Sequence, residues 1–468
     1  MKTRFQKYHR VIENSVSISQ QGKVKQVIGL VISSTGPSTS IGEICKIYPV
    51  GGGKPIIAEV VGFKDNQVML MPFSEMHGIN PGSIVEATGD TLKVSVGENL
   101  LGRVLGGLGE PIDGRDLEDN PDRRKVYAKP PHPLKRERIS EPIVTGIRSL
   151  DTFATTGKGQ RLGIFAGSGV GKSVMMGMIA RHSQADVNVI GLIGERGREV
   201  RDFLERDLGT EGLERSVVVT VTSDQPALIK VKGALVATSI AEYFRERGKD
   251  VILMVDSVTR IAMALREIGL AIGEPPATKG YTPSVYSFLP QFLERPGRTS
   301  KGSITGLYTV LVEGDDFNEP VSDAVRSILD GHVTLSRRLA NRNHFPAVDI
   351  LESISRVMPD IITDEHKNVA ARTRRLLAAY RESEDLINIG AYVKGSNKLT
   401  DEAIARYDDL NDYLTQDMNE KADFESDIEK LGSIVASEEV SVPAGEDKKA
   451  PGGPETGSPE EVRGSQTA

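Results

Sequence analysis

The stretch IFAGSGVGKSVMM, residues 164–176, decides how the chain is read. An apolar run, LGIF (162–165), leads into Gly167, Gly169 and Gly171, after which Lys172 and Ser173 open a segment of helical pattern. Glycines let backbone N–H groups close around an anion with no Cβ in the way. The helix start adds positive potential, the lysine reaches terminal phosphates, and the serine hydroxyl is a ligand for Mg²⁺. Ala166 stands where the phosphate-loop pattern has its first glycine, and it is small enough to leave binding intact. A glycine-rich strand-to-helix turn with no ligand would leave the Gly-Lys-Ser placement unexplained. The candidate nucleotide-binding residues are therefore Gly167, Ser168, Gly169, Val170, Gly171, Lys172, Ser173 and Val174.

From residue 160 to about 355, apolar β-runs (LGIFAG, VNVIGLIG, SVVVTVT, VILMVDS, LYTVLVEG) alternate with helical patterns such as SVMMGMIARHS and GALVATSIAEYFRER. Near-continuous apolar strands interleaved with helices predict a parallel sheet covered on both faces. Two of these strands end in carboxylates. VILMVD (251–256) ends in Asp256, which beside a phosphate loop is a second holder of Mg²⁺ together with Ser173. Taken alone, it would be a helix N-cap. IGERGRE (193–199) places Glu195 at a strand end, where a carboxylate can act as general base on a water facing the γ-phosphate. Arg196 beside it is a candidate to stabilise charge or to hold Glu195 in place; a merely solvated loop is the alternative. SISR (353–356) offers Arg356 as a cation for the transferred phosphoryl group, and spacing does not separate that role from a structural salt bridge.

Upstream, residues 24–96 are rich in Val, Ile, Gly and Pro, with alternating stretches such as VKQVIGLVIS, and predict a small β-barrel. KPPHPLKRER (129–138) has the composition of a connector, and 368–418 reads as helices. Near the start, Phe5, Tyr8 and Ile12 fall at helical spacing among Lys2, Arg4, Lys7 and Arg10. That fits either a frayed terminus or an amphipathic helix for a partner or anionic lipid. Residues 436–468 lack aromatics and are expected to be disordered. With 468 residues the chain is too long for one core, and 38% hydrophobic with 26% charged residues is ordinary for a globular protein. A single cysteine, Cys45, permits no internal disulfide, fits a reducing cytoplasm and reads as a buried small residue. The net charge of −7 argues against wholesale nucleic-acid binding. No signal peptide is seen and no apolar run approaches the ~20 residues of a membrane span, so membrane contact is expected to be peripheral.

Together, LLGRVLGGLGEPIDG (100–114), GQRLGIFAGSGVGKS (159–173), IGERGREVRDF (193–203), VILMVDSVTR (251–260), GSITGLYTVLVEGDD (302–316), DGHVTLSRRLA (330–340) and FPAVDILESISR (345–356) resemble the catalytic ATPases related to the rotary ATP synthase β subunit. Within that superfamily, QADVNVIGLIGERGREVRDF, GYTPSVYSFLPQFLERPG and LINIGAYVKGSN are most similar to the flagellum-specific export ATPases and their virulence-secretion relatives. The resemblance implies an α/β fold: a RecA-like phosphate-loop core with an N-terminal β-barrel and a C-terminal helical domain. It divides the chain at 1–22, 23–98, 99–365, 366–435 and 436–468. It implies a homohexamer with ATP and Mg²⁺ between neighbours, Lys172, Glu195, Ser173 and Asp256 in the roles above, and Arg356 as a finger into the adjacent site. Phe345 falls where the family stacks an aromatic on adenine, with Met418 near the same pocket. The implied partners are a dimeric negative regulator at the N-terminal helix, a central stalk protein, a membrane export gate, and export chaperones with their substrates. The rotary β subunit carries an acidic loop between its C-terminal helices, whereas YVKGSN (392–397) is short and not acidic, which favours the export family. A RecA-type RNA helicase would need exposed aromatics and basic residues in the barrel, and a non-catalytic subunit would lack Glu195.

Overall fold

The computed structural model describes residues 19–117, 122–312 and 319–436. Of the candidate N-terminal helix (1–22), residues 1–18 lie outside these residues, and Gln21 and Gly22 belong to a strand instead of a helix; of the acidic tail (436–468), all but Ala436 lies outside them.

The alternating segment closes into a barrel of six strands: β1 (Gln21–Ile28), β2 (Val31–Thr35), β3 (Glu43–Tyr48), β4 (Ile56–Lys64), β5 (Gln67–Pro72) and β6 (Ile84–Thr91). Their order around the barrel is β1-β2-β5-β4-β3-β6, which leaves no free edge. Inward positions alternate along each strand, so Cys45 and Ile47 of β3 meet Val24, Ile32, Val60 and Leu70 in the centre. Cys45 is fully buried, and burial pushes its thiol up to about 11. β4 and β5 are joined by Asp65 and Asn66, both at positive φ, the conformation a two-residue hairpin requires.

Past the barrel, β7 (Lys93–Ser95) pairs with β9 (Arg123–Lys125), while β8 (Arg103–Leu105) joins the main sheet. That sheet continues with β10 (Arg161–Ala166), β11 (Val187–Glu195), β12 (Ser216–Thr222), β13 (Asp250–Asp256), β14 (Gly297–Arg298), β15 (Ser303–Leu311), β16 (Gly331–Leu335) and β17 (Val348–Ser355). The order is β17-β16-β10-β15-β13-β11-β12-β8, parallel except that β17 runs antiparallel to β16 and β14 pairs antiparallel with β15. Alternate residues feed two cores. Val189 and Ile193 of β11 and Leu253 of β13 face the helices Ala227–Glu246 and Val258–Ile272. Ile190, Leu192 and Met254 face the opposite side, toward the helix Lys172–His182 and the C-terminal helices Asp364–Asn388, Lys398–Leu414 and Phe424–Val435. Burial on both faces is why these strands read as continuous apolar runs. Among the described residues, no helix is long and apolar enough to cross a membrane.

Barrel and core are pinned by a buried pair: Lys232 Nζ lies 2.7 Å from Glu59, and their side chains are 1% and 4% exposed. Tyr127, just after β9, donates its hydroxyl to the same Glu59 at 2.7 Å, and its ring lies 4.2 Å from Lys232 Nζ. Lys232→Met would strand Glu59 as an unpaired buried charge and is expected to lose about 3–5 kcal/mol of stability. Urea unfolding checks this, with Glu59→Leu/Lys232→Met recovering most of the loss. A single variant within about 1 kcal/mol of the parent would show the pair to be dispensable.

Candidate active site

β10, β13 and β11 run parallel, so Ala166, Asp256 and Glu195 emerge at the same carboxyl edge of the sheet. Ligands of open α/β sheets bind at such an edge. The loop after β10 turns through Gly169 at φ 76° and Gly171 at φ 84°, left-handed values that a side chain would strain. A Cβ on Gly171 would also fall 3.2 Å from the Phe345 ring. The helix Lys172–His182 then begins with no side chain capping its first N–H groups, which therefore face outward as an anion site.

A cavity of about 1180 Å³ opens over this loop. Gly167 to Val174 line it, as do Glu195, Arg196, Phe345 and Met418. Lys172 Nζ donates to Asp256 Oδ1 at 2.5 Å and lies 3.7 Å from Glu195 Oε1. Thr309 Oγ1 donates to the same Asp256 oxygen at 2.6 Å, fixing a carboxylate that is 3% exposed. Ser173 is exposed toward the cavity. Asp256 and Ser173 fit a magnesium ion carried in on a triphosphate. Among the described residues no group of three or more His, Cys, Asp or Glu side chains could hold a metal by itself. An ion completed by phosphate and water ligands needs only one or two protein groups.

Charge in this cluster is unevenly distributed. Burial works against the Lys172 ammonium, but Asp256 and then Glu195 outweigh it and hold it above its ordinary value. Burial first, then repulsion from Asp256, push the Glu195 carboxyl up to about 7 against the pull of Lys172. A base poised there suits proton abstraction near neutral pH. Only the ionised form accepts a proton, so kcat/KM for ATP is expected to fall as pH drops through about 7. A pH–rate profile measures this, and an acid limb near the free-carboxylate value of about 4.3 would show Glu195 to be unperturbed.

Two predicted residues stand apart. Arg196 is exposed and reaches Glu199, 3.8 Å away, rather than Glu195. Arg356 does not line the cavity at all. β16 runs parallel to β10 and β17 runs back against it, so the pairing of Gly331 with Ser355 sets Arg356 at the opposite edge of the sheet. Its side chain is exposed there and forms no ion pair among the described residues. Phe345 is 37% exposed, and its carbonyl accepts from Gln416 N at 2.9 Å. Sequence reasoning missed Arg260, Asn343 and the run Thr415–Asp417, all of which line the cavity. Only Arg260, at the end of VILMVDSVTR, lay inside a motif already singled out.

Residues 146–355 match the ATP synthase alpha/beta family nucleotide-binding domain, 24–89 its beta-barrel domain, and 362–433 the T3SS EscN ATPase C-terminal domain. The flagellum-specific ATP synthase of Bacillus subtilis (strain 168) is 57% identical over 92% of this chain and 98% of that protein. The chain belongs to the flagellum-specific type III export ATPases. This export ATPase also superposes on the assembled ATPase EscN from the type III secretion system of enteropathogenic E. coli, with a TM-score of 0.83 at 45% identity. That match covers 89% of this chain and 100% of EscN. EscN in complex with its central stalk EscO gives a TM-score of 0.82 at the same identity and coverage. The export ATPase thus has the barrel, RecA-like core and C-terminal domain that the resemblance implied, and it is an ATP-hydrolysing enzyme.

Proposed function

We propose that this export ATPase is the motor of a flagellar type III protein export apparatus and works as a homohexamer with Mg–ATP bound between neighbouring copies. In this reading Lys172 neutralises the terminal phosphates and Ser173 and Asp256 hold the magnesium. When bound, that ion would neutralise negative charge on the triphosphate. Glu195 orients the attacking water and takes its proton, and products are ADP and phosphate. Phe345 and Met418 flank the adenine. Arg356 enters from the adjacent copy.

One observation carries the reading: Arg356 lies at the opposite sheet edge from the loop of its own chain. A finger so placed serves a second copy, so a solitary chain has an incomplete site. ATPase activity per chain is therefore expected to rise steeply with protein concentration and to plateau when assembly is complete. Steady-state hydrolysis measured alongside light scattering tests this, and activity per chain that is constant through dissociation would overturn it.

Hydrolysis would detach export substrates from their chaperones and pass unfolded chains to a membrane gate. The regulator at the N-terminal segment, the stalk protein in the ring and a peripheral position at the inner face of the membrane belong to the same proposal. The similarity to EscN bound to its stalk EscO supports the stalk. The short segment 389–397 between the two long C-terminal helices, free of acidic residues, favours export over a rotary synthase subunit.

A further inference from the structure

The wall of the cavity facing the phosphate loop is a segment between two C-terminal helices, Thr415–Met418. It starts where the helix Lys398–Leu414 runs out and leaves its last carbonyls without intrahelical partners. Two arginines of the core take up carbonyls along it. Arg148, only 6% exposed, donates Nη1 to Tyr413 O at 3.0 Å and to Thr415 O at 3.1 Å. Its Nε meets Asp427 at 3.0 Å, and its Nη2 meets Glu420. Arg181 donates Nη2 to Met418 O at 2.6 Å and Nη1 to Asp207 O. Gln416 spends its whole side chain on the same fastening, with Oε1 accepting from Arg148 N and Nε2 donating to Gly146 O and Glu420 O, each at 2.9 Å.

Arg181 sits in the last turn of the helix that opens with Lys172. At 1.5 Å per residue, nine residues set the lysine and the arginine about 13 Å apart along one rigid axis. A single helix therefore carries the group that meets phosphate and the group that holds the wall above the base.

We propose that Arg148 and Arg181 are positioning residues for the nucleotide base: they fix the Thr415–Met418 wall at a set distance from the phosphate loop without touching the nucleotide. This rests on the reading of the cavity as the ATP site. Neither arginine lines the cavity, and their side-chain hydrogen bonds go to the C-terminal segment and to Asp207 O, none to the phosphate loop, so the two halves separate experimentally.

Arg181→Met is the first variant, because this guanidinium meets only carbonyls and leaves no carboxylate stranded. Arg148→Lys is the second, keeping a cation for Asp427 and Glu420 but losing the fork that reaches the carbonyls. Affinities of the full chain for Mg–ADP and Mg–pyrophosphate are measured by calorimetry, with ATP turnover in parallel. Each variant is expected to bind Mg–ADP about tenfold more weakly while Mg–pyrophosphate stays within about twofold. KM for ATP rises and kcat at saturation holds. Loss of both ligands together would mark a merely structural role, and unchanged Mg–ADP affinity would show the wall to be indifferent to the clamp; either result overturns the proposal. A parent chain that folds but binds neither ligand would instead remove the ATP reading on which the proposal stands.

Discussion

Replacing Glu195 by Gln is expected to lower ATP turnover by a factor of about 10²–10⁴ while leaving Mg–ATP binding nearly intact. The amide keeps the volume and the hydrogen-bonding reach of the carboxylate but cannot accept a proton. Binding is expected to survive because the proposed phosphate contacts, the loop N–H groups and Lys172, are untouched by the substitution. It also removes a charge that Asp256 repels, so the Lys172–Asp256 pair at 2.5 Å stays in place. Phosphate release under single-turnover conditions reads the chemical step directly, and fluorescent-nucleotide titration reads binding. A variant that cleaves ATP at the parental rate would remove Glu195 from the mechanism. One that loses binding and turnover in equal measure would make it a structural residue.

Arg356→Ala should be at least as damaging, by about 10³–10⁵ in kcat, the range for removal of an arginine finger. Its side chain is exposed at the sheet edge and no ion pair among the described residues depends on it, so folding should be unaffected. The decisive version mixes two inactive chains, Glu195→Gln and Arg356→Ala. Where the intact Glu195 site of an Arg356→Ala chain meets the intact Arg356 of a Glu195→Gln neighbour, a working site is rebuilt. Activity is expected to reappear on mixing. If it does not reappear in assembled rings, the finger works within its own chain or not at all.

Much of this architecture was legible because the phosphate loop, Glu195 and Asp256 each follow or end an apolar β-run. LGIF, VNVIGLIG and VILMVD are buried on both faces, and the candidate site residues stand where the hydrophobicity stops, at the loop after Ala166, at Glu195 and at Asp256. β16 and β17 escaped notice for the converse reason. They lie at or next to the sheet edge, and β17 has a mixed pattern of buried and exposed residues, so VDILESIS does not announce itself as sheet. β8 contributes three residues, too few for any periodicity. Arg196 shows the limit of adjacency. It is extended, at φ −73° and ψ 143°, and consecutive extended residues point opposite ways, so its side chain turns to solvent. The wall of the base pocket was the least readable part. Arg148 meets Tyr413 across 265 positions, and no local pattern encodes a contact at that separation.

The placement of Arg356 and the phosphate loop at opposite edges of one sheet has an arithmetic consequence. With Arg356 acting across the junction as proposed, every junction between consecutive copies would make one competent centre, so an open arc of n copies would have n − 1 and leave an unused half-site at each end. Closing the arc adds a final centre without adding a chain. Per-chain output thus climbs from one half in a pair to unity only on closure. A cell that kept these chains as pairs or arcs would hold back part of their output, and joining the two free ends would release it.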